Sequence, residues 1–150
     1  MNYWLAKQEP SGPRGYNVLQ LQKDKKTMWD GVHNNLALKH IRNMKKDDLV
    51  FFYHTGDERQ VVGIMSVISN PYPNPEEENK RFVVVDVKFK KLLKTPVTLD
   101  SIKKQKKLFL VEHIFLLKDQ NYFFLKNGQL ILRKQKDVLY GIKIIKNTLI

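Results

Sequence analysis

Between Val83 and Lys90 the chain alternates with a period of two: Val83, Val85, Val87 and Phe89 on one side, Val84, Asp86, Lys88 and Lys90 on the other. Successive side chains of an extended strand point to opposite faces, so this stretch is predicted to be a strand with one face in a core. Its neighbours read the same way. Tyr3 to Ala6 is a short apolar strand stopped by Pro10 and the Ser11-Gly12-Pro13 turn residues. Leu49 to Tyr53 and Val61 to Ile68 flank Thr55-Gly56-Asp57, the pattern of a β-hairpin. Tyr122 to Leu125 and Gln129 to Leu132 flank an Asn127-Gly128 turn. Asn70 to Glu76 is predicted to be an irregular loop, since Pro71, Pro73 and Pro75 cannot donate to a ladder.

Helices are expected at Gly15 to Gln22, Pro96 to Lys104 and Gln135 to Lys146. Another starts near Val32, where Val32, Leu36, Ala37, Ile41 and Met44 recur at helical steps and Asp30 is placed to cap the first turn. Lys23 to Lys26 is a charged loop in this reading. Strands dominate without a βαβ rhythm, so the fold class is α+β: a small β-barrel decorated by helices, in one domain spanning 1–150.

Charge limits the partner. The chain has 27 Lys and Arg against 15 Asp and Glu, a formal net charge of +12. That excess favours a polyanion, although lysine-rich chains also carry lysine simply as a solvated surface. Cysteine is absent, which excludes disulfides, thiolate catalysis and cysteine-based zinc sites. The N-terminal MNYWLAKQEP interrupts any apolar run with Lys7, Glu9 and Pro10, and no run is long enough to span a bilayer. A cytoplasmic, or at least intracellular, protein without membrane association is expected.

Trp29 stands before Asp30-Gly31, at the approach to a helix. An aromatic there is either a lid on the core or a face for a flat ligand to stack on. His33 and His40 lie seven residues apart, and with His54 and His113 they are the only histidines. Zinc hydrolases pair ligands four apart with a nearby Glu, so no metal is expected. Nucleophile elbows and phosphate-binding glycine loops are absent from the sequence. Glu9, Asp30 and His54 are the candidates for acid–base chemistry, and no catalysis and no cofactor are expected.

The order of short motifs is more specific. Tyr3-Trp4-Leu5 with Lys7-Gln8-Glu9-Pro10, then Trp29-Asp30-Gly31-Val32-His33-Asn34, Phe51-Phe52-Tyr53-His54-Thr55, Val62-Gly63-Ile64, Pro71-Tyr72-Pro73 and Val85-Asp86-Val87 resemble, in that order, the thymocyte nuclear protein branch of the EVE domain family. The resemblance covers about the first two-thirds of the chain. It implies a PUA-like fold, a bent β-barrel flanked by helices and related to the YTH domains, and a non-catalytic module that binds a modified base, methylated or related cytosine or adenine, in DNA or RNA. It also implies an aromatic pocket with Trp29 as one wall. Asn34 would read the base edge, and Trp4, Lys7, Glu9, Tyr53, His54 and Tyr72 would complete the pocket. Lys90, Lys91, Arg133 and Lys134 are the expected phosphate contacts. The sequence departs from the family where His33 and Leu38 replace common arginines. Two readings remain beside this one: an enzyme acting on a nucleotide or modified nucleoside, and a small-ligand or protein-interaction module.

Overall fold

The computed structural model describes residues 1–104, 122–126 and 129–130. Residues Val83–Thr98 form one long strand, β6, which is the spine of the molecule. In chain order the other elements are β1 (Tyr3–Gln8), α1 (Val18–Asp24), β2 (Lys26–Trp29), α2 (Asn35–Asn43), β3 (Leu49–His54), β4 (Gln60–Val67), β5 (Tyr72–Pro73), α3 (Leu99–Lys104), β7 (Tyr122–Lys126) and β8 (Gln129–Leu130). Seven strands form a curled mixed sheet in the order β2-β6-β4-β3-β1-β7-β8, and β5 pairs with β6 off this path. The result is an α+β half-barrel. The expected hairpins β3–β4 and β7–β8 are both antiparallel. Asn127-Gly128 and the proposed helix from Gln135 lie outside the described residues, as do His113, Arg133 and Lys134.

Two apolar layers explain why the middle strands read as unbroken hydrophobic runs, since a strand covered on both faces has no solvent side to mark with polar residues. On one face Trp4, Phe52, Met65, Val85 and Val87 pack with Leu21 of α1 and Leu38 and Ile41 of α2. On the other, Phe51, Tyr53, Ile64 and Val97 meet Ile102 of α3. β1 runs parallel to β3, with Trp4 opposite Val50 and Ala6 opposite Phe52. A parallel neighbour needs a crossover, and the stretch from α1 to α2 supplies it. One buried carboxylate ties this arrangement together: Asp48 accepts from the Trp4 indole at 2.9 Å, the Asn2 amide at 2.6 Å and the Lys45 amide at 3.0 Å.

Several boundaries differ from expectation. α2 starts at Asn35, not near Val32, and its cap is Asn34, whose side chain accepts from Leu36 and Ala37; Asp30 lies too far upstream to reach those amides. Trp29 belongs to a strand rather than a turn, because Lys26–Trp29 pairs with Lys88–Val85. The charged loop over Lys23 to Lys26 is therefore the end of α1 and the start of β2, joined by Lys25 at φ 67. Within the proline-rich segment, Tyr72 and Pro73 pair with Val84 and Val83, an edge position that proline tolerates. The helix expected from Pro96 begins at Leu99, since β6 continues to Thr98.

Candidate nucleic-acid interface

The end of β1, the loop before α1 and the end of β2 converge on a cleft of about 730 Å³, lined by Lys7, Arg14, Tyr16, Trp29, Asp30 and Gly31, and closed by Asn74, Glu76 and Glu77. Trp29 reaches it from the core. The residue is 7% exposed, and its ring meets that of Phe52 edge-on, with centroids 5.4 Å apart at 85°. Trp29 is thus a member of the core and a wall of the cleft at once, because β2 ends where the sheet face gives way to the opening. Asp30 and Gly31 follow at the rim, and Gly31 takes φ 70, a left-handed conformation that suits glycine. The space around its missing side chain is open, so Gly31 serves the turn and not a close approach.

The opposite wall is held by local hydrogen bonds. The Tyr16 amide donates to the Glu9 carbonyl at 2.9 Å and its hydroxyl donates to Asp24 at 2.9 Å. Burial, helped by the Asp24 carboxylate, pushes the Tyr16 phenol up to about 12. The Gln8 side chain donates to the Arg14 carbonyl at 2.9 Å and fixes the loop to the strand end. Across the opening, Asn74 is buried and accepts from the Glu76 amide at 3.0 Å, an Asx turn that sets the acidic loop. Glu77 pairs with His33 at 2.9 Å. His33 also meets Phe82 edge-on, and Arg81 lies over the same ring. The lining therefore includes the aromatic residues Tyr16 and Trp29, the cations Lys7 and Arg14, and carboxylates at Asp30, Glu76 and Glu77.

Of the residues expected in one pocket, only Trp29 and Lys7 line this cleft. Trp4 is fully buried and its indole is bonded to Asp48, so it is no wall of an open site. Tyr53 faces the other layer of the sheet, where burial raises its phenol to about 12. Tyr72 donates to Asp86 at 2.8 Å, and burial together with that carboxylate raises its phenol to about 12. Asn34 caps α2. Glu9 and His54 lie together around a second opening. His54 is buried; its Nε2 accepts from the Val18 amide at 3.1 Å, which leaves Nδ1 to donate to Glu58 at 2.7 Å. That bond holds the Glu58 carboxyl below the ordinary carboxylate range. Lys90 and Lys91 are exposed on β6.

Arg14, Tyr16 and Asn74 went unread in the sequence. Tyr16 directly follows the Ser11-to-Gly15 turn, and the turn itself was the available signal; assigning the stretch from Gly15 to a helix hid it. Among the described residues no group of three or more His, Asp or Glu is placed to hold a metal ion, and no helix is long and apolar enough to cross a membrane.

A curled mixed half-barrel with helices on its faces and an aromatic, polar cleft at one end defines a PUA-like domain. Within that class the chain belongs to the EVE domain family, whose model matches residues 2–122. Rat thymocyte nuclear protein 1 is 33% identical over 68% of this chain and 55% of its own length. The human protein of that name is 31% identical over 68% of this chain and 56% of its own. The chain thus spans about half the length of the curated relatives it matches. Among solved structures, Rpa0253 from Rhodopseudomonas palustris superposes with a TM-score of 0.72 at 31% identity, covering 97% of this chain and 95% of that one. Human THYN1, solved in complex with 5-methylcytosine containing DNA, has a TM-score of 0.76 at 21% identity, covering 96% of this chain and 97% of that one.

Proposed function

We propose that this chain is a non-catalytic nucleic-acid-binding module that receives a modified base, methylated cytosine in DNA before other candidates, in the cleft beside Trp29. One observation carries the reading: the lining of the cleft brings the residues Trp29 and Tyr16 together with the cations Lys7 and Arg14. Human THYN1 in complex with 5-methylcytosine DNA supports the choice of ligand.

A base leaves its stack at a cost of a few kcal/mol, and a receiving pocket offsets that by stacking and by bonding the base edge. A tryptophan face contributes about 1–3 kcal/mol per base. Cytosine presents an exocyclic amine donor, for which a carboxylate is the matching acceptor. Asp30 and Glu76 take that role here, while Glu77 is engaged by His33. Lys7 and Arg14 take the adjoining phosphates, and Lys90 and Lys91 add sequence-independent attraction. Catalysis is disfavoured by the state of the acid–base candidates. Both ring nitrogens of His54 are committed, and Glu9 already accepts from Thr55 at 3.0 Å.

Fluorescence anisotropy with labelled single- and double-stranded DNA and RNA, carrying cytosine or 5-methylcytosine, tests this at two salt concentrations. The wild type is expected to bind one methylated strand more tightly. Trp29→Leu, confirmed as folded by circular dichroism, should lose about tenfold in affinity for it, about 1.4 kcal/mol. Lys7→Gln and Arg14→Gln should weaken all oligonucleotides alike. Equal wild-type affinity for every strand, or a methyl preference untouched by Trp29→Leu, would overturn the proposal.

A further inference from the structure

The second opening differs from the first in its chemistry. It is a groove of about 600 Å³ lined by residues of α1 and the distal part of β6, and the chain passes from one opening to the other at the end of β1: Lys7 and Gln8 border the first cleft, Glu9 and Pro10 this one. A break in the sheet creates it. β6 pairs Leu92 with Gly63 and then Val97 with Val61, so Leu93, Lys94, Thr95 and Pro96 stand opposite Val62 alone. A bulge of that size bends a strand away from its neighbour. At the other end α1 is pressed to the sheet, since a side chain on Gly63 would come within 2.7 Å of Val18.

The groove combines two features that are separately unusual for this chain. Leu19 and Leu92 are 60% and 38% exposed, two of the four large hydrophobic side chains standing in solvent among the described residues, and both line it. Among the described residues its lining carries Glu9, Asp57 and Glu58 and no lysine or arginine, in a chain of 27 cations against 15 carboxylates, while the exposed Lys91 and Lys94 flank Leu92 and Leu93 along β6. Asp57 makes no side-chain bond to the described residues, and Glu9 and Glu58 each retain acceptor capacity beyond the bonds they make. The three carboxylates of this lining favour a cationic ligand over a nucleic acid.

We propose that this groove is a docking site for a cationic peptide segment of a partner protein, with one aliphatic side chain seated between Leu19 and Leu92 and flanking lysine or arginine side chains on Glu9, Asp57 and Glu58. Apolar contact supplies affinity and charge complementarity supplies selection against the polyanion that occupies the other cleft. The two linings share no residue, so neither ligand takes up the other's contacts.

The test uses the full chain and a fluorescein-labelled Lys-Lys-Leu-Lys-Lys peptide, with Glu-Glu-Leu-Glu-Glu and Lys-Lys-Ser-Lys-Lys as controls, in anisotropy titrations. Wild type should prefer the Lys-Leu peptide over both controls. Leu19→Ser and Asp57→Lys change exposed side chains and leave the fold intact; combined they should weaken that peptide at least about tenfold while oligonucleotide binding stays within twofold or strengthens. No preference for the Lys-Leu peptide, or equal binding by the double variant, would overturn the proposal. So would concentration-dependent self-association that the double variant abolishes, since the occupant would then be a second copy of this chain.

Discussion

Asn34 directs its side-chain oxygen at the amides of Leu36 and Ala37, 2.9 and 3.1 Å away, and so completes the first turn of α2. A cap of this kind is worth about 1 kcal/mol. Asn34→Ala is therefore expected to lower stability by about 1 kcal/mol in urea unfolding, and Asn34→Asp to retain it, with neither changing the ratio of affinities for methylated and unmodified strands. A base-reading asparagine would give the reverse: discrimination lost in both variants. Trp29 shows why residue types alone left its role open. Its ring meets Phe52 in the core while the residue also lines the cleft, and the tryptophan before Asp30-Gly31 is legible as special without revealing which surface it meets. Trp4 illustrates the opposite outcome. It stands in a motif that resembles the family, yet its indole goes to Asp48, a partner 44 residues away that local pattern does not identify.

At the scale of elements, the strands were the most legible part, because period two and the hairpin turns are local signals. β1, β3, β4 and β6 lie where alternation or apolar runs placed them. The length of β6 was not legible, since Pro96 signals a stop and only the bulge against β4 lets the strand pass it. Helix boundaries moved by a few residues for a related reason: a cap is defined by which carbonyl or side chain reaches an amide. Gly63 shows what packing demands of an element. A methyl group there would lie 2.7 Å from the Val18 side chain and 3.1 Å from the Lys91 carbonyl, so α1 rides directly on β4. Gly63→Ala is expected to destabilise by about 1–3 kcal/mol in urea unfolding. Adding Val18→Ala should recover part of that loss, and a double-mutant cycle measures the coupling.

For the molecule as a whole, three tyrosines bear on its stability at alkaline pH. Burial, with carboxylate partners for Tyr16 and Tyr72, raises Tyr16, Tyr53 and Tyr72 from 10.0 to about 12. A phenol harder to ionise in the folded state than in the unfolded one stabilises the fold fully below pH 10, and that contribution is lost as pH rises towards 12. Urea midpoints are thus expected to fall steeply across this window in step with tyrosinate absorbance, and Tyr72→Phe should shrink the fall; a flat profile would contradict the assignment. The sequence by itself determined the strand-rich class, the absence of cysteine chemistry, the basic surface and the order of motifs that marks the family, because each is a matter of composition or local period. Tertiary structure alone decided which motif residues meet. The parallel pairing of β1 with β3 and the crossover through α1 to α2 send Trp29 and Lys7 to one opening, Glu9 and His54 to another, and Trp4 into the core. Proximity of that kind depends on sheet order and face, which residues far apart along the chain establish only once they pack.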